Sequence, residues 1–261
     1  MKKTRSTSGP DAAFQDRRGI ITGAASGIGQ ATALLLASLG AAVGLVDIDG
    51  EGLAQTSARI DRRPASRVKL FTADAADETA VSRVVDETVA AFGDISFLIN
   101  CAGILRRTAF EQMPVAEWDL MFNVNLRGPF LFCRQVVPLM VRRGEGVIVN
   151  VASLAGRSSS ILGGAHYTAA KHALIGLSRH LARELGPKGL RVNAFCPGAT
   201  LTPMTTASAS ADEIQAVAAM IPRRKWATAE EQAAVIGFLL SDAAVNITGA
   251  CIDSNGGSLM I

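Results

Sequence analysis

The sequence predicts a single doubly wound α/β domain, and three observations predict it. Short apolar runs alternate with stretches of helical spacing along the chain. A glycine cluster stands between the first run and the first helix. No Pro/Gly/Ser-rich linker and no internal repeat divides the 261 residues. Strand and helix in alternation imply right-handed crossovers and a parallel sheet covered on both faces.

The apolar runs lie at residues 19–22, 42–46, 68–71, 95–99, 146–151 and 190–195, with a final one at 247–253, which predicts about seven strands. Helical spacing marks 30–39, 79–92, 130–142, 167–185 and 229–240. Residues 1–17, rich in Ser, Thr, Lys and Arg, read as a flexible leader to a domain spanning 18–261. The segment 200–226 breaks the alternation, and as an insertion before the last helix it is expected to form a lid over a substrate.

Composition excludes several classes. Hydrophobic residues make up 49% and charged residues 19%, a globular balance able to bury its own core. The net charge of +3 sits in residues 1–18, where five basic residues face Asp11 and Asp16; everything from Gly19 onward sums to zero. No basic stripe interleaved with aromatics remains to bind nucleic acid. The four cysteines, Cys101, Cys133, Cys196 and Cys251, lie far apart with no paired histidines. That spacing suits reduced, packed thiols in a cytoplasmic protein and no metal site. Residues 19–46 hold no charge, yet six glycines within them favour strand, turn and buried helix over a membrane span.

Thr22-Gly23-Ala24-Ala25-Ser26-Gly27-Ile28-Gly29 follows the first strand and opens the first helix. Glycines there let the backbone turn sharply and approach a pyrophosphate, whose charge is met by N–H groups at the helix start. The spacing G-x-x-x-G-x-G matches the common dinucleotide fingerprint only loosely, and a ligand-free turn is the plainer alternative. Asp47 ends the second strand, where such a fold places the acid that binds the adenosine ribose. A carboxylate there repels a 2′-phosphate, Asp49 adds charge, and Ser26 and Ile48 offer no cation. The expectation is therefore NAD(H) over NADP(H). The alternative is that Asp47 only caps a turn.

The chain has one tyrosine, Tyr167, and one of its six lysines, Lys171, follows four residues later. That offset puts both on one face of a helix. A phenol titrates near about 10, too high for exchange at neutral pH, and an adjacent ammonium would lower it toward a working value. The pair suits general acid–base work. Without further context, a packing tyrosine and a solvated lysine would be the better explanation.

Context supplies the rest. Thr22–Gly29, Asp47, Asn100-Cys101-Ala102-Gly103, Asn125, Ser153 and Tyr167-Thr168-Ala169-Ala170-Lys171 occur in an order that resembles the short-chain dehydrogenase/reductase family, from about Arg18 to Ser258. The resemblance implies a Rossmann-type domain that moves a hydride between NAD(H) and a secondary alcohol or ketone. It makes Tyr167 the acid or base, with Lys171 holding the nicotinamide ribose. Ser153 would bond the substrate oxygen. Asn125, rather than its neighbour Asn123, would hold a relay water. Cofactor contacts would come from Gly23, Ser26, Gly27, Ile28, Gly29, Asp47, Ile48, Asp74, Ala75, Asn100, Ala102 and Gly103, with Pro197, Gly198, Thr200 and Thr202 at the nicotinamide end. A homotetramer or dimer is implied in the same way.

Three departures from the family pattern stand out. Cys101 replaces a common asparagine, and Thr200 a β-branched aliphatic residue. The Ser153–Tyr167 interval is one residue long, so the loop 156–164 must bulge, with Ser158–Ser160 as fallback for Ser153. His166 may be expected at the pocket rim. Arg106-Arg107 and Arg223-Arg224-Lys225 read as solvated charge, or else as the anchor of an anionic substrate group. A 3-oxoacyl-thioester reductase and a non-catalytic dinucleotide-binding protein are the competing functions.

Overall fold

The computed structural model of the chain describes residues 14–60, 67–207 and 209–261. Seven strands pair in parallel: β1 (Arg18–Thr22), β2 (Ala42–Asp47), β3 (Val68–Thr72), β4 (Phe97–Asn100), β5 (Gly146–Val151), β6 (Leu190–Pro197) and β7 (Cys251–Ser254). Their order in the sheet is β3-β2-β1-β4-β5-β6-β7. The helices are α1 (Gly27–Ser38), α2 (Gly50–Arg59), α3 (Glu78–Phe92), α4 (Val115–Phe122), α5 (Gly128–Arg143), α6 (Ala165–Leu185), α7 (Pro203–Thr206), α8 (Ala211–Met220) and α9 (Ala229–Leu240).

Side chains that alternate along each strand build the two layers. Ile21, Val43, Leu45, Phe97, Ile99, Val147 and Val149 pack on one face against Leu36 of α1, Leu53 of α2 and Ile236 and Leu239 of α9. Ile20, Val46, Leu98 and Ile148 face the other way, onto Val84 of α3, Phe132 and Val136 of α5 and Leu185 of α6. A sheet covered on both sides explains why its strands read as nearly unbroken apolar runs.

The chain winds outward from β1 to β3, then returns to add β4 on the opposite side of β1. The order reverses between β1 and β4, and a crevice opens there beyond the carboxyl ends of the strands. The uncharged segment 19–46 resolves into β1, a glycine turn, α1 and β2. Among the described residues no helix is long and apolar enough to cross a membrane.

The domain begins earlier than expected. Of the anticipated leader, residues 1–13 lie outside the described residues, but Phe14 is buried in the core and its N–H donates to the Leu39 carbonyl at 3.2 Å. Arg17 pairs with Asp242 at 2.5 Å. An aromatic ring against the end of α1 is worth burying, so the packed chain extends at least to Phe14.

Four helices had no counterpart in the apolar spacing. The turn after β2 folds into α2, capped by Asp49, whose carboxylate accepts from Gly52 N–H at 2.9 Å. α4 precedes α5, joined to it by a π turn (Asn123–Arg127). The segment 200–226 carries α7 and α8. Its two ends are stitched together where Leu201 N–H donates to Ala227 O (2.9 Å) and Ala227 N–H to Ala199 O (3.0 Å).

Candidate active site

A cavity of about 720 Å³ runs along the carboxyl edge of the sheet, from the glycine turn to the segment 200–226. At one end lies the turn between β1 and α1. Gly23 has φ +70°, and a Cβ on it would stand 2.7 Å from Ala102 N. A Cβ on Gly29 would stand 2.0 Å from the Gly23 carbonyl oxygen, so α1 can start this close to β1 only without one. Thr22 Oγ1 accepts from the N–H groups of Cys101 and Ala102, both at 3.0 Å, and binds the loop after β4 to this turn.

The N-terminus of α1 has no side-chain cap and no acidic residue in its first turn, whereas Asp49, Asp77, Ser210 and Thr228 cap α2, α3, α8 and α9. Ser26, Gly27, Ile28 and Gly29 line the cavity at this uncapped end. Free N–H groups and a positive helix dipole facing a cavity suit a pyrophosphate.

Asp47 lies at the edge of that cavity. Its Oδ2 accepts from Ala25 N–H at 3.0 Å and its Oδ1 from Asp49 N–H at 3.1 Å. It therefore does cap the turn, and each oxygen retains a second lone pair for a ligand. Ile48, Asp74, Ala75, Ala102 and Gly103 line the same end. Among the described residues, the charged ones in the lining are Asp47, Asp74 and Lys171.

Asn100 departs from expectation. Its side chain is buried under the site and is not part of the wall. Its Nδ2 donates to Asn150 Oδ1 at 2.7 Å, and Asn150 Nδ2 donates to Ser178 Oγ at 2.9 Å. These polar side chains ladder across β4, β5 and α6 because buried amides must find partners inside.

At the centre of the cavity stand Ser153, Tyr167 and Lys171. Ser153 follows β5 and starts a 3-10 turn, its Oγ accepting from Ala155 N–H at 3.1 Å. Tyr167 and Lys171 share one face of α6, with Lys171 Nζ 5.7 Å from the Tyr167 ring centroid. The Ser153 side chain is the polar neighbour that favours the ionised Tyr167 phenol. Lys171 Nζ donates to the Val151 carbonyl at 2.9 Å, which aims the ammonium along the cavity floor. The bulge needed by the long Ser153–Tyr167 interval is absorbed at 156–164, where Gly163 N–H donates to Ser160 Oγ at 2.7 Å. Ser158–Ser160 line the cavity, but the partner of Tyr167 is Ser153.

The electrostatics correct one sequence argument. Burial pushes the Tyr167 phenol up from its ordinary value, and the Ser153 hydrogen bond draws it partly down. Burial also pulls the Lys171 ammonium down from 10.5 to about 8. Burial is thus the largest influence on the phenol, with Ser153 opposing it.

Asn125 is fully buried in the π turn and lines the cavity, while Asn123 is exposed. Its amide clasps Ile104, accepting from its N–H at 3.2 Å and donating to its carbonyl at 3.0 Å. A π turn is a frequent mark of a functional site. Pro197, Gly198, Thr200 and Thr202 line the far wall. Thr200 is held by Gln232, a buried residue of α9 that donates to its Oγ1 at 3.0 Å. Gln232 escaped the sequence reading because only folding brings α9 to Thr200.

Beyond Tyr167 the walls come from Leu105, Leu154, Ile161, Leu162, Met204, Val217, Met220 and Leu259. The cationic candidates do not reach them. Arg107 pairs with Glu213 at 3.0 Å, Arg106 donates to the Leu105 carbonyl at 3.1 Å, and Lys225 pairs with Glu231. Among the described residues no cluster of His, Cys, Asp or Glu could hold a metal ion.

An open parallel sheet with a glycine turn at its switch point, feeding a cavity that holds a buried Tyr–Lys pair, defines a nucleotide-linked oxidoreductase class. Comparison with known proteins gives the family. A family model described as "Enoyl-(Acyl carrier protein) reductase" matches residues 23–258. Levodione reductase of Leifsonia aquatica is 39% identical, covering 96% of this chain and 97% of its own. A 3-oxoacyl-[acyl-carrier-protein] reductase of Thermotoga maritima is 38% identical, covering 91% and 96%. D-threitol dehydrogenase of Mycolicibacterium smegmatis is 37% identical, covering 91% of each chain. The crystal structure of levodione reductase superposes with a TM-score of 0.88 at 37% identity, over 94% of this chain and 98% of that one. The chain belongs to the short-chain dehydrogenase/reductase family of oxidoreductases.

Proposed function

We propose that this protein is an NAD(H)-dependent oxidoreductase interconverting a neutral secondary alcohol and its ketone. The observation that carries the reading is the placing of Ser153, Tyr167 and Lys171 in one cavity with the uncapped N-terminus of α1. When bound, the nicotinamide dinucleotide supplies the two-electron acceptor or donor and, oxidised, a positive charge. The α1 N-terminus and Gly23 to Gly29 would hold its pyrophosphate, Asp47 its adenosine ribose, and Lys171 the ribose at the other end. Asp47 and Ile48 would disfavour a 2′-phosphate, because among the described residues no cation lines that end of the cavity.

In oxidation, the Tyr167 phenolate takes the proton of the substrate hydroxyl while the carbinol C–H bond gives up its electron pair as hydride; in reduction the phenol returns the proton to the carbonyl oxygen. Ser153 orients that oxygen by a hydrogen bond. The depressed Lys171 pKa leaves an amine that can pass protons at mildly alkaline pH. Asn125 fixes the loop at Ile104 and could hold a water beyond Lys171. Substrate specificity would come from the apolar walls beneath residues 200–226, acting as a lid.

A second reading, reduction of a 3-oxoacyl thioester, is favoured by the 38% identical relative of that name. The lack of Lys or Arg other than Lys171 in the cavity wall favours a neutral substrate instead. Reduced-cofactor absorbance decides between them, using neutral secondary alcohols, cyclic ketones and 3-oxoacyl thioesters with each of NAD(H) and NADP(H). We expect the highest kcat/KM for a neutral substrate with NAD(H). Preference for NADP(H) would refute the cofactor assignment, and turnover of thioesters alone would establish the second reading.

A further inference from the structure

His166 takes no part in the proton transfer described above, yet it is fully buried immediately before Tyr167. Its Nδ1 accepts from the Tyr167 N–H at 2.9 Å, and its Nε2 stands 2.8 Å from Glu117 Oε1 on α4. A ring nitrogen that accepts carries no proton, so the imidazole is neutral and its single proton on Nε2 points at the carboxylate. The Glu117 carboxyl is held below its usual range, first by a hydrogen bond from Thr108 and then by His166. Gly164 N–H donates to the Arg106 carbonyl at 2.8 Å, joining the same loop to the start of α6.

The packing leaves the ring little freedom. A Cβ on Gly164 would lie 2.9 Å from His166 Cε1, and one on Gly163 would lie 2.9 Å from Tyr167 Cδ1. The first turn of α6 lacks an N-cap side chain, since Gly164 occupies that position. The Tyr167 N–H is thus shared between the Gly164 carbonyl, at 3.1 Å, and the His166 imidazole, which ties the ring to the backbone of the tyrosine itself.

We propose that His166, braced by Glu117, is a positioning residue that sets where the Tyr167 hydroxyl meets Ser153. This rests on Tyr167 being the proton carrier of the proposed function. The α4–α6 brace adds to the Gly164–Arg106 link in fixing the first turn of α6, and it is the part of that mount made by side chains. A displacement of about 1 Å at a reacting group can cost on the order of 100-fold in rate, so the mount would act on kcat and leave dinucleotide affinity alone.

Substituting buried His166 risks the fold, so the test uses Glu117, whose side chain is partly exposed. Glu117→Gln keeps an oxygen that can accept from Nε2, and Glu117→Ala removes it. Tyr167 is the sole tyrosine, so ultraviolet titration of tyrosinate reads its phenol directly, with or without turnover. We expect Glu117→Ala to lower kcat about tenfold, with the KM for dinucleotide within about twofold. We also expect its phenol midpoint to rise by about half a unit or more, as alignment with Ser153 is lost. Glu117→Gln should stay near wild type in both. An unchanged phenol midpoint in Glu117→Ala would overturn the proposal, as would equal losses in the Gln and Ala variants. If the wild type turns over no alcohol or ketone, the proposed function fails, and the phenol midpoint still decides whether the brace exists.

Discussion

The two ends of the cavity are built in different ways. The end at β1 to β3 is made largely of backbone: a glycine turn, the uncapped start of α1 and the Asp47 carboxylate lie within 26 residues of sequence from Thr22, and the loop after β3 adds Asp74. The far end is made of side chains brought from four distant segments: Leu105, Leu154 to Leu162, Met204 to Ile221, and Leu259. A backbone cradle tolerates few changes, because its atoms already touch. A wall of side chains can be repainted one residue at a time.

Substitutions at the two ends should therefore differ in kind. The largest effect is expected from Gly29→Ala, whose Cβ would press to 2.0 Å from the Gly23 carbonyl oxygen. The turn must move, and we expect dinucleotide affinity to fall about 100-fold or the fold to lose about 1–3 kcal/mol. Cofactor fluorescence titration and thermal melting read the two outcomes, and normal values of both would break the contrast.

Asp47→Ala should act next, chiefly on the cofactor, with a smaller loss of stability from the turn it caps at Ala25 and Asp49. We expect the KM for NAD to rise about tenfold and the preference against NADP to shrink, through loss of hydrogen bonds to a charged group. Steady-state kinetics with both dinucleotides provide the check.

Lys171→Met should leave a signature in stability against pH. The folded lysine titrates at about 8 instead of 10.5. Between those values the unfolded chain binds more protons, so this group makes stability rise with pH, and the contribution disappears as pH falls through about 8. Above about 9 the buried thiols of Cys133 and Cys196, both pushed up to about 12, act in the opposite sense. Denaturant midpoints from about pH 7.5 to 9 should climb in the wild type relative to Lys171→Met. Parallel curves would contradict the burial of this charge.

Arg107→Ala should matter least. Its pair with Glu213 ties the loop after β4 to α8 at the surface, and exposed pairs contribute about 0–1 kcal/mol. The KM for a neutral substrate should stay within about threefold. A large increase confined to anionic substrates would instead place this arginine in recognition.

The same division explains what could be read from the sequence. Alternating runs such as Ile20-Ile21 and Phe97-Leu98-Ile99 reveal strands buried on both faces, and the glycine turn and the Tyr167–Lys171 pair are local patterns. The helices α2, α4 and α8 are short, and α8 is announced less by apolar spacing than by its Ser210-x-x-Glu213 capping box. The inward turn of Asn100 was hidden because its partner Asn150 is 50 residues away, and the Ser178 that Asn150 bonds in turn is 28 residues further on. The polar Asn150 inside the run Gly146–Val151 was the available clue. The raised phenol also escaped, since burial of Tyr167 depends on Leu105 and Met121 packing beside it.

Tyr167→Phe gives the most direct measurement, made on one preparation with turnover and dinucleotide affinity read together. The proposed chemistry predicts a loss of about 100-fold or more in kcat with the dinucleotide dissociation constant within about twofold of wild type. Turnover that survives the loss of this one hydroxyl would show that the proton travels by another group.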